Sequence, residues 1–392
     1  MTDIFTILPY GKNKELIKLH AASTATLYYL NHSIDLITGD KSDENISSYL
    51  EYIDSKNLKE ESPLFEVHHL FYELSDIILF GEMKGARSEL PLAIKILYSK
   101  EEKLEGAKKS SRIKLNNIFS PDRTRYEEGF LKGREELLKG NSYQFNFTHH
   151  FKYTYESSSV DDFVHSFIGL GEKLGQFAHL TYISSLDKII FSNSPESLFQ
   201  ARVKNESVEC LTTPIKGTAK RVTGVPVSRQ WDELKSDIKN QAELYMIVDL
   251  LRNDLSSIED PTAQIIKKKA RLLVPGLIHQ MGVIKVYFSL QVSLGKIIRC
   301  LFPGGSITGA PKKSTVSILK KLEDGPRGIY TGSTLLIRKN TIDCSINIRT
   351  ADINIQSHEL VYGSGGGVTL MSECADEYTE MHDKVGSFIN LL

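Results

Sequence analysis

Apolar and polar positions alternate most clearly between Ser142 and Phe151, where Tyr143, Phe145 and Phe147 are interleaved with Gln144, Asn146 and Thr148. That period of two predicts a strand. Leu180–Ile183 and Lys188–Phe191 flank the short segment Ser185–Asp187 and predict a hairpin. Further strands are expected over Ile4–Leu8, Leu27–Leu30, Ile278–Val292, Ser333–Arg338, Cys344–Ile353 and Glu359–Tyr362. Helical spacing runs from Tyr126 to Lys139, through Phe130, Leu131, Leu137 and Leu138, and Gly140-Asn141 ends it. Helices are also expected over Leu64–Phe80, Trp231–Leu255, Pro311–Leu322 and Ala375–Leu391. The charge-dense stretch Lys100–Lys114 reads as a solvated connection or an exposed helix.

Strand runs and hairpins alternate with separate long helices, without a strict βαβα order. The expected class is α+β (mixed α/β), with large antiparallel sheets sandwiched by outer helices, rather than a Rossmann fold. Neither a GxGxxG after a strand nor a Walker A sequence occurs, so nucleotide binding has no support.

Composition narrows the partners. The formal net charge of −1 gives no global field toward nucleic acid or an anionic membrane. An anionic ligand must then be held locally, by backbone amides, single basic side chains or a metal. Cys210, Cys300, Cys344 and Cys374 are scattered, with no CxxC pair to frame a zinc site or a disulfide. The N-terminal residues do not read as a signal peptide, and no apolar stretch approaches the ~18 residues that span a bilayer. A cytoplasmic enzyme is the expectation.

Several residues stand out chemically, each with an ordinary alternative. On a helix, Glu243 shares a face with Ile247, Leu250 and Asp254. A carboxylate in an apolar stripe needs a buried ion pair, a metal or a catalytic task. Glu377, Glu380 and Lys384 share another helical face, either solvated or part of a site, directly after the glycine-rich Ser364–Gly367. Pro303–Lys312 is glycine-rich and enters a helix, with Ser306 or Thr308 as candidate caps; it is a plain connection or a carboxylate cradle. Lys216 is a turn lysine or a nucleophile, and Glu196 a turn acid or a general acid.

Taken in order, GNSYQFNFT (140–148), SPESLF (194–199), TTPIKGTAKR (212–221), KNQAELYMIVDLLRNDL (239–255), FPGGSITGAPK (302–312), RGIYTGS (327–333), INIRTA (346–351) and GGGVTLMSECADEYTEMHDK (365–384) resemble the chorismate-binding enzymes. That family includes anthranilate synthase component I, aminodeoxychorismate synthase component I, isochorismate synthase and salicylate synthase. The resemblance implies an anthranilate synthase component I-like fold, with a catalytic region over 116–392 and an N-terminal subregion, 1–115, packed on it. It implies Mg²⁺ held by Glu243 and Glu380, with Glu377 supporting through water. Gly217, Thr218, Tyr330, Arg349, Gly365, Gly367 and Lys384 fall at substrate-binding positions, and Lys216, Glu196 and His279 at catalytic ones.

Two positions separate the members. Isochorismate and salicylate synthases carry a water-activating lysine where this chain has Gln144, and anthranilate synthases typically carry alanine where it has Lys216. The resemblance therefore implies amination of chorismate at carbon 4, as in aminodeoxychorismate synthases of p-aminobenzoate and folate synthesis. Anthranilate synthase component I is the alternative, and isochorismate or salicylate synthase lies further off. Ammonia would come from a separate glutamine amidotransferase subunit. Ser197, Asn240 and Gly282 depart from the usual residues at their positions without removing a proposed ligand or nucleophile.

Overall fold

The computed structural model describes residues 2–11, 15–58, 64–83, 85–104, 112–156, 159–259, 262–274 and 277–392. Its strands form one continuous antiparallel ladder that folds back over itself. At one end, Leu115–Phe119 and Gly309–Ala310 pair with Gln144–Tyr155, which pairs with Glu359–Val368, and the ladder continues through Thr350–Asn354, Lys188–Ser192, His179–Ile183, Ile4–Tyr10 and the long Glu15–Tyr28. It then runs through Ala93–Lys103, Phe65–Leu70, Ser333–Arg338, Thr341–Ile346, Ser197–Lys204, Ser207–Thr212 and Leu277–Phe288. The last of these also carries Ile215–Lys220 and Gln264–Val274. The strands from Ile4 to Lys103 thus lie in the middle of the ladder and join its two wings.

Alternation along each strand sorts side chains between layers. In Lys188–Ser192, Ile189 and Phe191 join one apolar cluster and Ile190 another. Leu335 and Ile337 of Ser333–Arg338 point to a third, while Leu336 packs with the cluster that holds Ile190. The core therefore has an inner layer between the wings and two outer layers. Helices Arg123–Leu138 and Cys374–Ile389 cover one outer face through Tyr126, Phe130, Met381 and Phe388. Helices Ile46–Ser55, Ile238–Ser256 and Leu294–Leu301 cover the other. This is the expected mixed class, with antiparallel sheets and outer helices.

Several expected elements differ. Leu64–Phe80 is a strand, Phe65–Leu70, followed by a helix, Leu74–Phe80. Both faces of that strand are buried, and His69 is satisfied there by Thr334 (2.9 Å) and Thr181 (3.1 Å). Without an exposed face there is no alternation to read. Trp231–Leu255 is two helices, Val227–Ser236 and Ile238–Ser256, because Asp237 leaves helical geometry to cap the second by accepting from the Asn240 amide. Cys344–Ile353 breaks after Ile346 and resumes at Thr350, directly after Arg349, whose φ is 52°. Ile278–Val292 stops at Phe288, and Ser293 caps an additional helix, Leu294–Leu301. Neither Ser306 nor Thr308 caps Lys312–Leu322, since Pro311 holds the cap position and the Thr308 hydroxyl donates to the Gly304 carbonyl. Within Lys100–Lys114, the strand Ala93–Lys103 extends into the charged run, and 105–111 lie outside the described residues. Among the described residues, all four cysteines are free and no helix is long and apolar enough to cross a membrane.

Candidate active site

The strand Ile215–Lys220 holds the first group. Its register against Leu277–Phe288 slips between Lys216 and Thr218, placing a bulge at Gly217. Gly217 has φ +75°, and a Cβ there would lie 3.0 Å from the Asn240 Cβ on the neighbouring helix. The bulge sets the direction of Lys216, whose Nζ donates to the Ser306 carbonyl at 3.3 Å. The loop 302–312 thus meets the lysine through a carbonyl.

Glu196 is buried beside this lysine. Burial pushes its carboxyl up to about 7, against the pull of a hydrogen bond with Ser306 and the charge of Lys216. Such a group keeps its proton close to neutrality, as a general acid requires.

His279 sits opposite Thr218, with Nδ1 and the Thr218 hydroxyl 2.8 Å apart. Its buried Nε2 has no partner among the described residues. Burial, reinforced by the Arg349 charge, lowers the imidazole to about 4, so the ring is neutral at physiological pH. The Arg349 guanidinium makes no hydrogen bond or ion pair among the described residues.

Two helices supply the acids. Glu243 lies on Ile238–Ser256, and Glu377 and Glu380 lie on Cys374–Ile389. Burial raises the Glu243 carboxyl; Lys216 and Lys239 oppose that rise, and Glu377 and Glu380 add to it. Glu377 is only 3% exposed and accepts from Ser372 Oγ at 2.8 Å and Lys239 Nζ at 3.0 Å. Glu380 is more open and pairs with Lys384 at 2.8 Å. Burial would raise its carboxyl, but Lys384, together with the charges of Lys239 and Lys216, holds it below the usual range. Lys384 also donates to the Gly365 carbonyl at 2.9 Å.

The glycine strand closes the arrangement. A Cβ at Gly366 would lie 2.7 Å from Glu377 Oε2, so a side chain there would have to displace this carboxylate. At Gly367 a Cβ would collide with the Gln144 amide and lie 3.3 Å from Lys216 Nζ. Gln144 is buried, and its Oε1 has no partner among the described residues. Tyr330 is buried with its ring against Gly363, where both also line a cavity of about 570 Å³ that opens toward His149, His150 and Glu323.

Residues 196, 216, 243, 367 and 380 are therefore linked by contact or by charge, although they are scattered over much of the chain, whereas His279 is tied to Thr218 and to the charge of Arg349. Sequence reasoning missed three participants. Ser306 touches both Glu196 and Lys216, and its position in the glycine-rich loop was the available signal. Lys239 bonds Glu377, and its only signal was a place one helical turn before Glu243. Arg327 is buried in RGIYTGS and ties Glu323 to the Asn146 and Ile307 carbonyls, behind Tyr330.

Among the described residues no three metal-ligating side chains form a ready ligand set. The donors still suit a hard divalent cation. Glu243 has no hydrogen-bond or ion-pair partner among the described residues and is repelled by Glu377 and Glu380, and Gly366 leaves room at the Glu377 oxygen. A cation such as Mg²⁺ takes few protein oxygens and keeps sites for water and substrate.

A profile of the chorismate binding enzyme family matches residues 59–390. Aminodeoxychorismate synthase component 1 of Salmonella typhimurium is 32% identical over 290 residues, covering 71% of this chain and 60% of that protein. The Escherichia coli protein of the same name is 31% identical, over 69% of this chain and 58% of its own length. This chain spans about 60% of the length of these curated relatives. Among solved structures, anthranilate synthase component I from Streptococcus pneumoniae superposes with a TM-score of 0.76 at 20% identity, over 95% of this chain and 91% of that one. The menaquinone-specific isochorismate synthase of Escherichia coli gives 0.67 at 14%, over 100% and 89%. These two share the fold.

Proposed function

This chain belongs to the chorismate-binding enzyme family, and from that premise we propose that it is the chorismate-aminating component of an aminodeoxychorismate synthase. It would convert chorismate and ammonia to 4-amino-4-deoxychorismate and water, on the way to p-aminobenzoate and folate. In this reading 116–392 carries the substrate site and 1–115 frames it. A glutamine amidotransferase subunit would supply the ammonia, in keeping with the component numbering of the relatives.

The observation that carries the reading is the setting of Lys216. Its amine lies beside a protonatable buried acid, Glu196, and beside Gln144 at Gly367, within electrostatic reach of Glu243 and Glu380. The Lys216 amine would add at carbon 2 of the ring as the 4-hydroxyl departs, taking the Glu196 proton and leaving as water. Ammonia would then form the bond at carbon 4, the carbon 2–nitrogen bond would break to return the lysine as a neutral amine, and the new ammonium would give a proton back to Glu196. Glutamine at 144 offers no base for activating water, which disfavours hydroxylation. Neutral His279, held by Thr218, would present its other nitrogen to the substrate. Tyr330, Arg349, Lys384 and the backbone at Gly365 and Gly367 would receive the carboxylates, with Gly217 and Thr218 lining the ring. Glu243 and Glu380, with Glu377 through water, would hold Mg²⁺, which supplies charge neutralisation and a template for the substrate carboxylate.

Incubation with chorismate, Mg²⁺ and an ammonium salt is expected to yield 4-amino-4-deoxychorismate by mass spectrometry. Anthranilate or isochorismate as the product would overturn the proposal. Lys216→Ala is expected to lower carbon 4 amination by about 10² or more. Undiminished amination would remove the covalent step and leave the family assignment standing.

A further inference from the structure

The acids of the site already have a cation among them. Lys239 precedes Glu243 by four residues on the same helix, so both side chains project from one face. Its ammonium reaches across to the other helix and bonds Glu377 at 3.0 Å, while its charge also acts on Glu243 and Glu380. Glu377 is buried, and its second contact, from Ser372, is neutral. Three carboxylates facing one another across two helices repel unless a positive charge lies between them. Lys384 answers for Glu380. At the buried end the bonded cation is Lys239.

We propose that Lys239 is an internal stand-in for the divalent cation, holding the acid-bearing helices together before metal arrives and being displaced when it binds. The inference rests on the reading of Glu243 and Glu380 as the metal's ligands, with Glu377 supporting them through water. An ammonium and a divalent cation compete for the same negative charge at short range. The flexible four-carbon stem of lysine lets the ammonium swing away, which the planar guanidinium fork of arginine does less readily. The side chain is 35% exposed, so it has a path toward solvent. Lys239 is thus a positioning residue that weakens metal binding and keeps the site assembled without metal.

The test uses the full chain with Mg²⁺ alone, by calorimetric titration and by thermal denaturation with and without saturating Mg²⁺. Lys239→Met is expected to melt lower than wild type without metal and to close that gap at saturation. Its Mg²⁺ affinity is expected to rise about tenfold, equivalent to about 1.4 kcal/mol. Lys239→Arg keeps the charge and is expected to bind Mg²⁺ no more tightly than wild type. An unchanged or weaker affinity in Lys239→Met, or a melting gap that persists at saturation, would overturn the proposal. A Glu243→Gln control separates the two layers. If it binds Mg²⁺ as wild type does, the carboxylate reading fails first and the role of Lys239 falls with it.

Discussion

Replacing Glu196 with glutamine tests the buried acid without needing the substrate. Its carboxyl ionises near 4.5 in an unfolded chain and only near about 7 in the fold, because burial disfavours the charged form. Between these values unfolding releases a proton, so rising pH favours the unfolded state. The stability owed to the neutral carboxyl is complete below pH 4.5 and is lost as pH climbs through about 7. At 1.36 kcal/mol per pH unit, the loss is about 3 kcal/mol. Glu196→Gln is neutral throughout and of nearly the same shape, so it escapes this loss. Urea denaturation of both proteins from pH 4.5 to 8, followed by far-UV circular dichroism, gives the difference directly, and the other titrating groups cancel. The variant is expected to gain on wild type by about 3 kcal/mol across that range. A difference that stays constant with pH would show that Glu196 is solvated or already ionised in the fold. Its assignment as the proton donor would then fail, whatever the activity of the variant.

His279 gives the mirror case. Its ring is lowered to about 4 by burial and the Arg349 charge, so its stabilising effect is full above 6.5 and is lost as pH falls through about 4. His279→Gln should flatten about 3 kcal/mol of that acid destabilisation, measured by the same denaturation series. An unchanged slope would place a charged imidazole in the fold. Gly217→Ala forces a side chain into φ +75° and against Asn240. It is expected to cost about 1–2 kcal/mol in urea denaturation and to lower amination further than that loss explains, because the bulge aims Lys216.

What the sequence made legible follows from which signals are local. The strand at Gln144 was readable because aromatic and polar positions alternate along it, although both sides are buried there, and the helix Arg123–Leu138 because its spacing covers the aromatic side. The strand Phe65–Leu70 was not, because His68 and His69 look like solvated positions until their partners are known. Thr334 lies 265 residues away from His69. The ladder was equally hidden, since Ile4 pairs with Ile183 and Ser333 with Leu70. No periodicity encodes such long-range register.

The site divides along the same line. Glu196, Lys216, Glu243 and Glu380 could be picked out because chemically unusual residues in family-like blocks mark themselves. Lys239 could not. A lysine one turn before a glutamate reads as a solvated helical pair, worth about 0.3–0.5 kcal/mol and of no functional interest. In the fold its bonded partner is instead Glu377, 138 residues further on, and nearly fully buried. Burial changes the meaning of the pair. In water the two charges would be screened and dispensable, whereas removing the ammonium here leaves a buried carboxylate facing two others with only a neutral hydroxyl bonded to it. The same local pattern is therefore decoration on an exposed helix and a determinant of cation affinity between two helices. Only the second helix, which the local sequence does not supply, decides between them.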